Sequence, residues 1–195
     1  SESLARGLKG LIEGRGSRHP GTMTSFAKNG SEAYAQDEIL KQPDLARSLA
    51  RIASDGHDGF YSGETAQLLI AEMERGGGMI TMEDLQRYQA RERTPVHGSY
   101  RGYDVISMPP PSSGGIAIVQ MLNILEGFDL KSMGHNSADY IHHLTEAMRR
   151  AYRDRATYVA DQDFNDVPLH RLTSKEYATE LRAGINPNAA SVSAA

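Results

Sequence analysis

"MPPPSSGGIAIVQMLNILEGFDL", residues 108–130, opens on three consecutive prolines and closes on an apolar run with helical spacing, joined by two serines and two glycines. Pro109, Pro110 and Pro111 supply no backbone N–H, so a strand entering this stretch must end there. Ser112 or Ser113 suits the N-cap of the following helix, and Gly114 and Gly115 leave room for the backbone to approach another element. Ile116, Val119, Leu122, Ile124 and Leu125 then bury one side. Two roles stay open: a structural joint between strand and helix, or an anion site at the free N–H groups of a helix start. A nucleophile elbow is excluded, because G-x-S-x-G is absent and no nearby histidine supplies a base.

Upstream, "TPVHGSYRGYDVISMP" reads as a hairpin with a second strand from Tyr103 to Met108. Downstream, "HNSADYIHHLTEAMRRAYRDRATYVAD" reads as a helix of about six turns, capped by Ser137. Its expected inner face is Ile141, Leu144, Met148, Ala151, Tyr152 and Arg155 or Tyr158. "SKEYATELRAG" is a last short helix between Ser174 and Gly184.

Before the hairpin, "DLARSLARIASDG" predicts a helix with Asp44 as N-cap and Leu45, Leu49 and Ile52 on one stripe. "ETAQLLIAEMERGGG" predicts another, packed through Ala66, Leu69, Ile70 and Met73 and ended by a left-handed glycine among Gly76, Gly77 and Gly78. No Lys-Ser/Thr follows those glycines, so they are a cap and not a phosphate loop. Thr81 and Asp84 form a capping box for a third short helix. Toward the start, "SLARGLKGLIEG" predicts a short helix, and residues 23–27 a short strand within an extended connector. The organisation expected is a connector over 1–41, a helical insert over 42–93, and a hairpin with long helices over 94–195. The fold class is α+β, predominantly helical.

With 25 acidic and 21 basic residues in 195 and a net charge of -4, the chain has no general attraction to polyanions, and nucleic acid is not an expected partner. No cysteine is present, which excludes disulfides, thiolate metal sites and a cysteine nucleophile. No run reaches the roughly 18 to 20 apolar residues a membrane span needs. The start lacks Met and the tail "NPNAASVSAA" is small and polar, so the chain is expected to be a piece of a longer protein.

Residues 161–166, Asp-Gln-Asp-Phe-Asn-Asp, open like a calcium loop, but Asp166 stands where a glycine must turn and Leu172 where a bidentate Glu must ligate. His142 and His143 are adjacent and point about 100° apart on a helix, so they do not share an ion. No metal is expected. Arg149, Arg150, Arg153 and Arg155 lie among Glu146 and Asp154, which favours ion pairing over nucleic-acid binding.

The stretch "YRGYDVISMPPPSSGGIAIVQMLNILEGFDL" closely resembles a segment of the gamma-glutamyltranspeptidases, and the flanking "QPDLARSLARIASDGHDGFYSGETAQLLIAEMERGGGMITMEDLQRYQARERTPVHGSYRG" and "AYRDRATYVADQDFNDVP" extend the resemblance from Phe26 to Ile185. The resemblance implies an αββα N-terminal-nucleophile hydrolase sandwich with a helical insert. It implies a precursor that cleaves itself, freeing an N-terminal threonine that serves as nucleophile and, through its amine, as base. This chain would be the C-terminal part of the large subunit, with the small subunit of the same precursor and γ-glutamyl small molecules as partners and with no cofactor. The nucleophile and pocket would lie beyond Ala195 and a substrate-binding arginine before Ser1. No catalytic or substrate-binding residue is therefore assigned here, and the chain alone is expected to be inactive. Pro109 to Gly115 remain a structural motif. The resemblance further implies a periplasmic or extracellular location. Two alternatives stand beside it: a fragment of the related acylases that remove a dicarboxylic side chain from β-lactams, and a non-catalytic helical binding module.

Overall fold

The computed structural model describes residues 1–192. The chain divides into two compact units, Ser1–Ala90 and Arg91–Ala195.

The first unit is helical: α1 (Glu2–Glu13), a 3-10 turn (Arg15–Arg18), α2 (Pro20–Phe26), α3 (Pro43–Asp55), α4 (Asp58–Tyr61), α5 (Gly63–Gly76) and α6 (Met82–Arg87). The strand expected over 23–27 is instead the end of α2. Pro20 occupies its first turn, where the missing N–H costs nothing, and the Thr24 hydroxyl bonds the Pro20 carbonyl at 3.0 Å. A preset helix start thus overrides the β-leaning Met-Thr-Ser-Phe run. At α3 the cap is Gln42, with Pro43 in the first turn, so Asp44 lies inside the helix and pairs with Arg47. The α3 stripe is not core, since Leu45 and Leu49 are 50% and 55% exposed. Two caps follow sequence chemistry directly. Gly77 ends α5 in the left-handed conformation at φ 69°, and Thr81 and Asp84 complete the capping box of α6.

The second unit contains β1 (Val96–Tyr100) and β2 (Tyr103–Ser107), then α7 (Gly114–Glu126), α8 (Leu130–Met133), α9 (Ala138–Tyr158), α10 (Leu169–Leu172) and α11 (Lys175–Ala183). The strands pair antiparallel with Val96 opposite Ser107 and Tyr100 opposite Tyr103, turning through Arg101 and Gly102, both at positive φ. The whole fold is predominantly helical with this small sheet.

Helix α7 is apolar nearly all round, and its burial explains why: Ile116, Val119, Gln120, Ile124 and Leu125 are all buried. On one side Ile116 and Val119 pack with Val96 of β1 and with Val167, Leu172 and Tyr177. On the other, Ile124 and Leu125 pack with Ala147 of α9 and Ala178 of α11. Each fully buried aliphatic side chain here contributes about 1.5–3 kcal/mol. Small residues set the spacing. A Cβ on Gly115 would fall on the Met108 carbonyl, and one on Gly98 would come to 2.7 Å from Val119 Cγ1.

The inner face of α9 is only in part the one expected: Ala151 is buried and Leu144 and Tyr158 pack against the two core clusters, but the remaining positions differ. His143, Glu146, Ala147, Ala151 and Asp154 are buried, whereas Ile141, Met148 and Tyr152 are 50%, 40% and 53% exposed. The buried carboxylates have dedicated partners, described below, and pairing lets charged positions turn inward where hydropathy points elsewhere.

Gly115→Ala should destabilise the chain by about 1–3 kcal/mol through overpacking against the strand end. Gly114→Ala, whose Cβ would meet only Ser112 Oγ at 3.6 Å, should stay within about 0.5 kcal/mol of wild type. Denaturant midpoints at constant m-value measure both, and equal losses at the two glycines would contradict this packing.

Candidate functional site

The turn from β2 into α7 starts where the prolines stop the sheet. Pro110 is fully buried, the Pro110–Pro111 bond is cis, and Ser112 N donates to the Pro109 carbonyl at 3.1 Å. Ser113 occupies the N-cap position but does not cap, which corrects the expected role of Ser112 or Ser113. Its backbone is already helical (φ -81°, ψ -12°), and the side chain makes no cap hydrogen bond. A cap needs extended dihedrals to fold its oxygen over the first turn. Ser112 Oγ only accepts from Gly114 N at 3.4 Å, while Ser113 Oγ accepts from Arg155 Nε at 2.8 Å, so Ser113 ties α7 to the end of α9.

An open groove of about 740 Å³ runs past this turn, walled by Pro95, Ile106, Met108 and the three prolines, with Arg91 and Arg93 at its rim. Arg93 is held by Asp163 at 2.8 Å and Asp161 at 3.5 Å, so the acidic loop pairs with an arginine. Among the described residues no cluster of three or more His, Asp or Glu could hold a metal ion. His142 and His143 meet edge to face, 88° apart, and bond different carbonyls, those of Asn186 and Asp139.

Chemically, Ser112 and Ser113 lack what a nucleophile requires. No described hydrogen bond links either hydroxyl to a histidine or a carboxylate, and the guanidinium beside Ser113 cannot accept its proton. The turn is a joint with polar ties.

The densest polar chemistry lies on the inner face of α9, which hydropathy alone does not find. Asp154, 2% exposed, accepts from Gln120 Nε2 at 2.8 Å, with Arg153 3.4 Å away. Burial, then its hydrogen bond to Asp154, raises the Tyr177 hydroxyl above its ordinary pKa, and Arg171 stacks on the Tyr177 ring at 4.3 Å. Glu146, 1% exposed, accepts from Arg150 Nη1 at 2.6 Å and from Ser191 through N at 2.9 Å and Oγ at 2.5 Å. Burial alone would raise the Glu146 carboxyl, but the Ser191 and Arg150 hydrogen bonds outweigh it and hold the pKa at about 2. Arg150 also reaches the Leu181 carbonyl at 2.9 Å and the Gly184 carbonyl at 2.6 Å, covering the end of α11. The arginine segment thus forms ion pairs and carbonyl caps, as its interleaved acids suggested. The legible signal for Glu146 was its i, i+4 spacing to Arg150.

Comparison with known proteins is consistent along the whole chain. The family described as Gamma-glutamyltranspeptidase matches residues 2–195. The chain is 50% identical over 165 residues to the glutathione hydrolase proenzyme of Pseudomonas sp. strain A14, covering 85% of this chain and 29% of that protein. It is 45% identical over 166 residues to the acylase ACY 1 proenzyme of Pseudomonas sp. strain SE83, covering 85% of this chain and 30% of that one. The crystal structure of Helicobacter pylori gamma-glutamyltranspeptidase superposes with a TM-score of 0.89 at 41% identity, covering 98% of this chain and 54% of that one. The chain therefore spans about 30% of the length of these curated relatives.

Glu146 should leave a mark on acid stability. Its folded pKa, about 2, lies below the unfolded value of 4.5, so its contribution is complete above pH 4.5 and is lost as pH falls toward 2. Glu146→Gln should flatten that part of the acid limb in a urea-midpoint profile, while an unchanged slope between pH 4.5 and 2 would contradict the pairing.

Proposed function

Because the chain belongs to the gamma-glutamyltranspeptidase family, we propose that it is the C-terminal part of the large chain of an enzyme that hydrolyses or transfers the γ-glutamyl group of glutathione-like compounds. In this reading a threonine hydroxyl outside residues 1–195 attacks the γ-carbonyl, expels the amine and forms a γ-glutamyl ester. Water or an amino-acid amine then takes the acyl group. The described helices and hairpin supply part of an αββα sandwich, and the remainder of the same precursor supplies the nucleophile and the glutamate pocket.

The observation that carries this reading is the family match across the chain, joined to the chemistry of the PPPSSGG turn. Two serine hydroxyls there have no base, so the chain's most family-like motif acts as a joint and carries no nucleophile. The proenzyme names of the relatives, and the 29–30% of their length that this chain spans, fit a precursor whose reacting residues lie elsewhere. The 45% identity to the acylase supports a second reading, in which the parent enzyme hydrolyses a dicarboxylic side chain from a β-lactam. The two differ in the acyl pocket, which this reading assigns to residues outside 1–195.

Purified chain 1–195 should release no product above blank from a chromogenic γ-glutamyl amide. A full-length precursor carrying this segment should cleave in two and turn the amide over, with Ser112→Ala and Ser113→Ala within about tenfold of wild type, since neither removes more than one described hydrogen bond, that of Ser113 being to the Arg155 guanidinium. Turnover by the isolated chain that either serine variant abolishes would defeat this reading. Preference for a glutaryl β-lactam over the γ-glutamyl amide would select the acylase.

A further inference from the structure

Beyond α11 the chain does not run off into solvent; it doubles back over α9. Arg150 Nη2 holds the Gly184 carbonyl at 2.6 Å, His142 Nε2 holds the Asn186 carbonyl at 2.8 Å, and Ser191 returns to Glu146 with both its backbone N and its Oγ. His142, Glu146 and Arg150 stand at i, i+4 and i+8, so one line along α9 reads three points of this strap. Between the ties, residues 186–190 are exposed, and an open groove of about 580 Å³ lies between Pro187–Ala190 and the start of α9 at Ala138, Asp139 and His142.

Ile185 packs against the Ile124–Ala147 cluster, but past it the strap is placed by polar ties and not by packing. Asn186, Pro187, Asn188, Ala189 and Ala190 are all exposed, and Val192 is 94% exposed. Glu146, by contrast, is among the most deeply buried side chains of the chain. An enclosed carboxylate is costly unless fully bonded, and two of its bonds come from the single residue Ser191. Arg150 already joins α9 to α11 through the Leu181 and Gly184 carbonyls. The Ser191 tie is thus dispensable for helix packing, and its effect is to fix where the chain passes residue 191.

We propose that His142, Glu146 and Arg150 form a docking ladder for residues 184–191, and that Glu146 is the positioning residue that aims the continuing chain for precursor self-cleavage. The proposal rests on the precursor reading above. Self-cleavage breaks one peptide bond and consumes one water, leaving a carboxylate on the large chain and a free amine on the threonine. The ladder takes no part in that bond exchange; it limits the directions from which the downstream segment reaches it.

Two measurements on Ser191→Ala, with Ser191→Thr as the conservative variant, test this. In the 195-residue chain, deuterium exchange at residues 189–192 should accelerate about tenfold with Ser191→Ala, which removes the hydroxyl's hydrogen bond to Glu146 and the longer one it accepts from Arg150 Nη2 at 3.4 Å, and return toward wild type with Ser191→Thr. In the full-length precursor, the rate of appearance of the two chains should fall about tenfold with Ser191→Ala and recover with Ser191→Thr, while turnover per cleaved molecule stays within twofold. Unchanged strap exchange overturns the ladder. Faster exchange with wild-type cleavage, or cleavage and turnover falling together, overturns the positioning role. A wild-type precursor that never cleaves refutes the proposed function and removes the processing role with it, whereas exchange in the 195-residue chain still reports on the ladder.

Discussion

The second unit depends on one steric constraint, the contact between the end of β2 and the start of α7 at Gly115. The Met108 carbonyl occupies the space a side chain on Gly115 would need. That approach sets the angle at which an almost wholly apolar helix enters the core, and Gly98 repeats the device where β1 crosses Val119. With α7 so placed, its two flanks meet two different partners, the hairpin with Val167, Leu172 and Tyr177, and the α9–α11 pair through Ala147 and Ala178. Close-packed interiors tolerate no slack at such joints, so a single added methyl acts on the whole unit.

Around this apolar centre, charge is used to hold ends. Glu126, at the end of α7, accepts from Lys175 and from the Arg101 backbone N–H, tying the hairpin turn to the start of α11. Those two donors keep its pKa below the ordinary carboxylate value, the lysine contributing most. Arg182 reaches toward the last carbonyls of α7, and Arg150 covers those of α11. Arginine suits this work because its planar fork satisfies several helix-end carbonyls at once. The four arginines of α9 are used in the same way: each is drawn into an ion pair, a carbonyl cap or, at Arg155, the Ser113 hydroxyl.

Features decided by a few neighbouring residues were legible in the sequence. The left-handed glycine after α5, the Thr81–Asp84 box, the hairpin around Arg101 and Gly102, and the Ser137 and Ser174 caps each follow from local stereochemistry. Features decided by tertiary partners were not. Residues 23–26 lean toward strand until Pro20 presets a helix. Ser113 reads as a cap until a guanidinium 42 residues away claims its hydroxyl. The inner face of α9 was partly misplaced because Glu146 and Asp154 count as outward-facing in any hydropathy pattern, and only Arg150, Ser191, Gln120 and Tyr177 make their burial tolerable. The family marker was recognisable at once, yet its physics is that of a joint, and the densest polar chemistry lies on α9.

The PPPSSGG turn organises the second unit, and the proposed function puts the acyl-transfer chemistry outside residues 1–195. It is tested most directly by treating the cleaved full-length enzyme with a γ-glutamyl affinity label and locating the adduct by peptide mass spectrometry. The account predicts a stoichiometric adduct on the other chain, with every peptide from residues 1–195 unmodified. An adduct on Ser112 or Ser113 would contradict it.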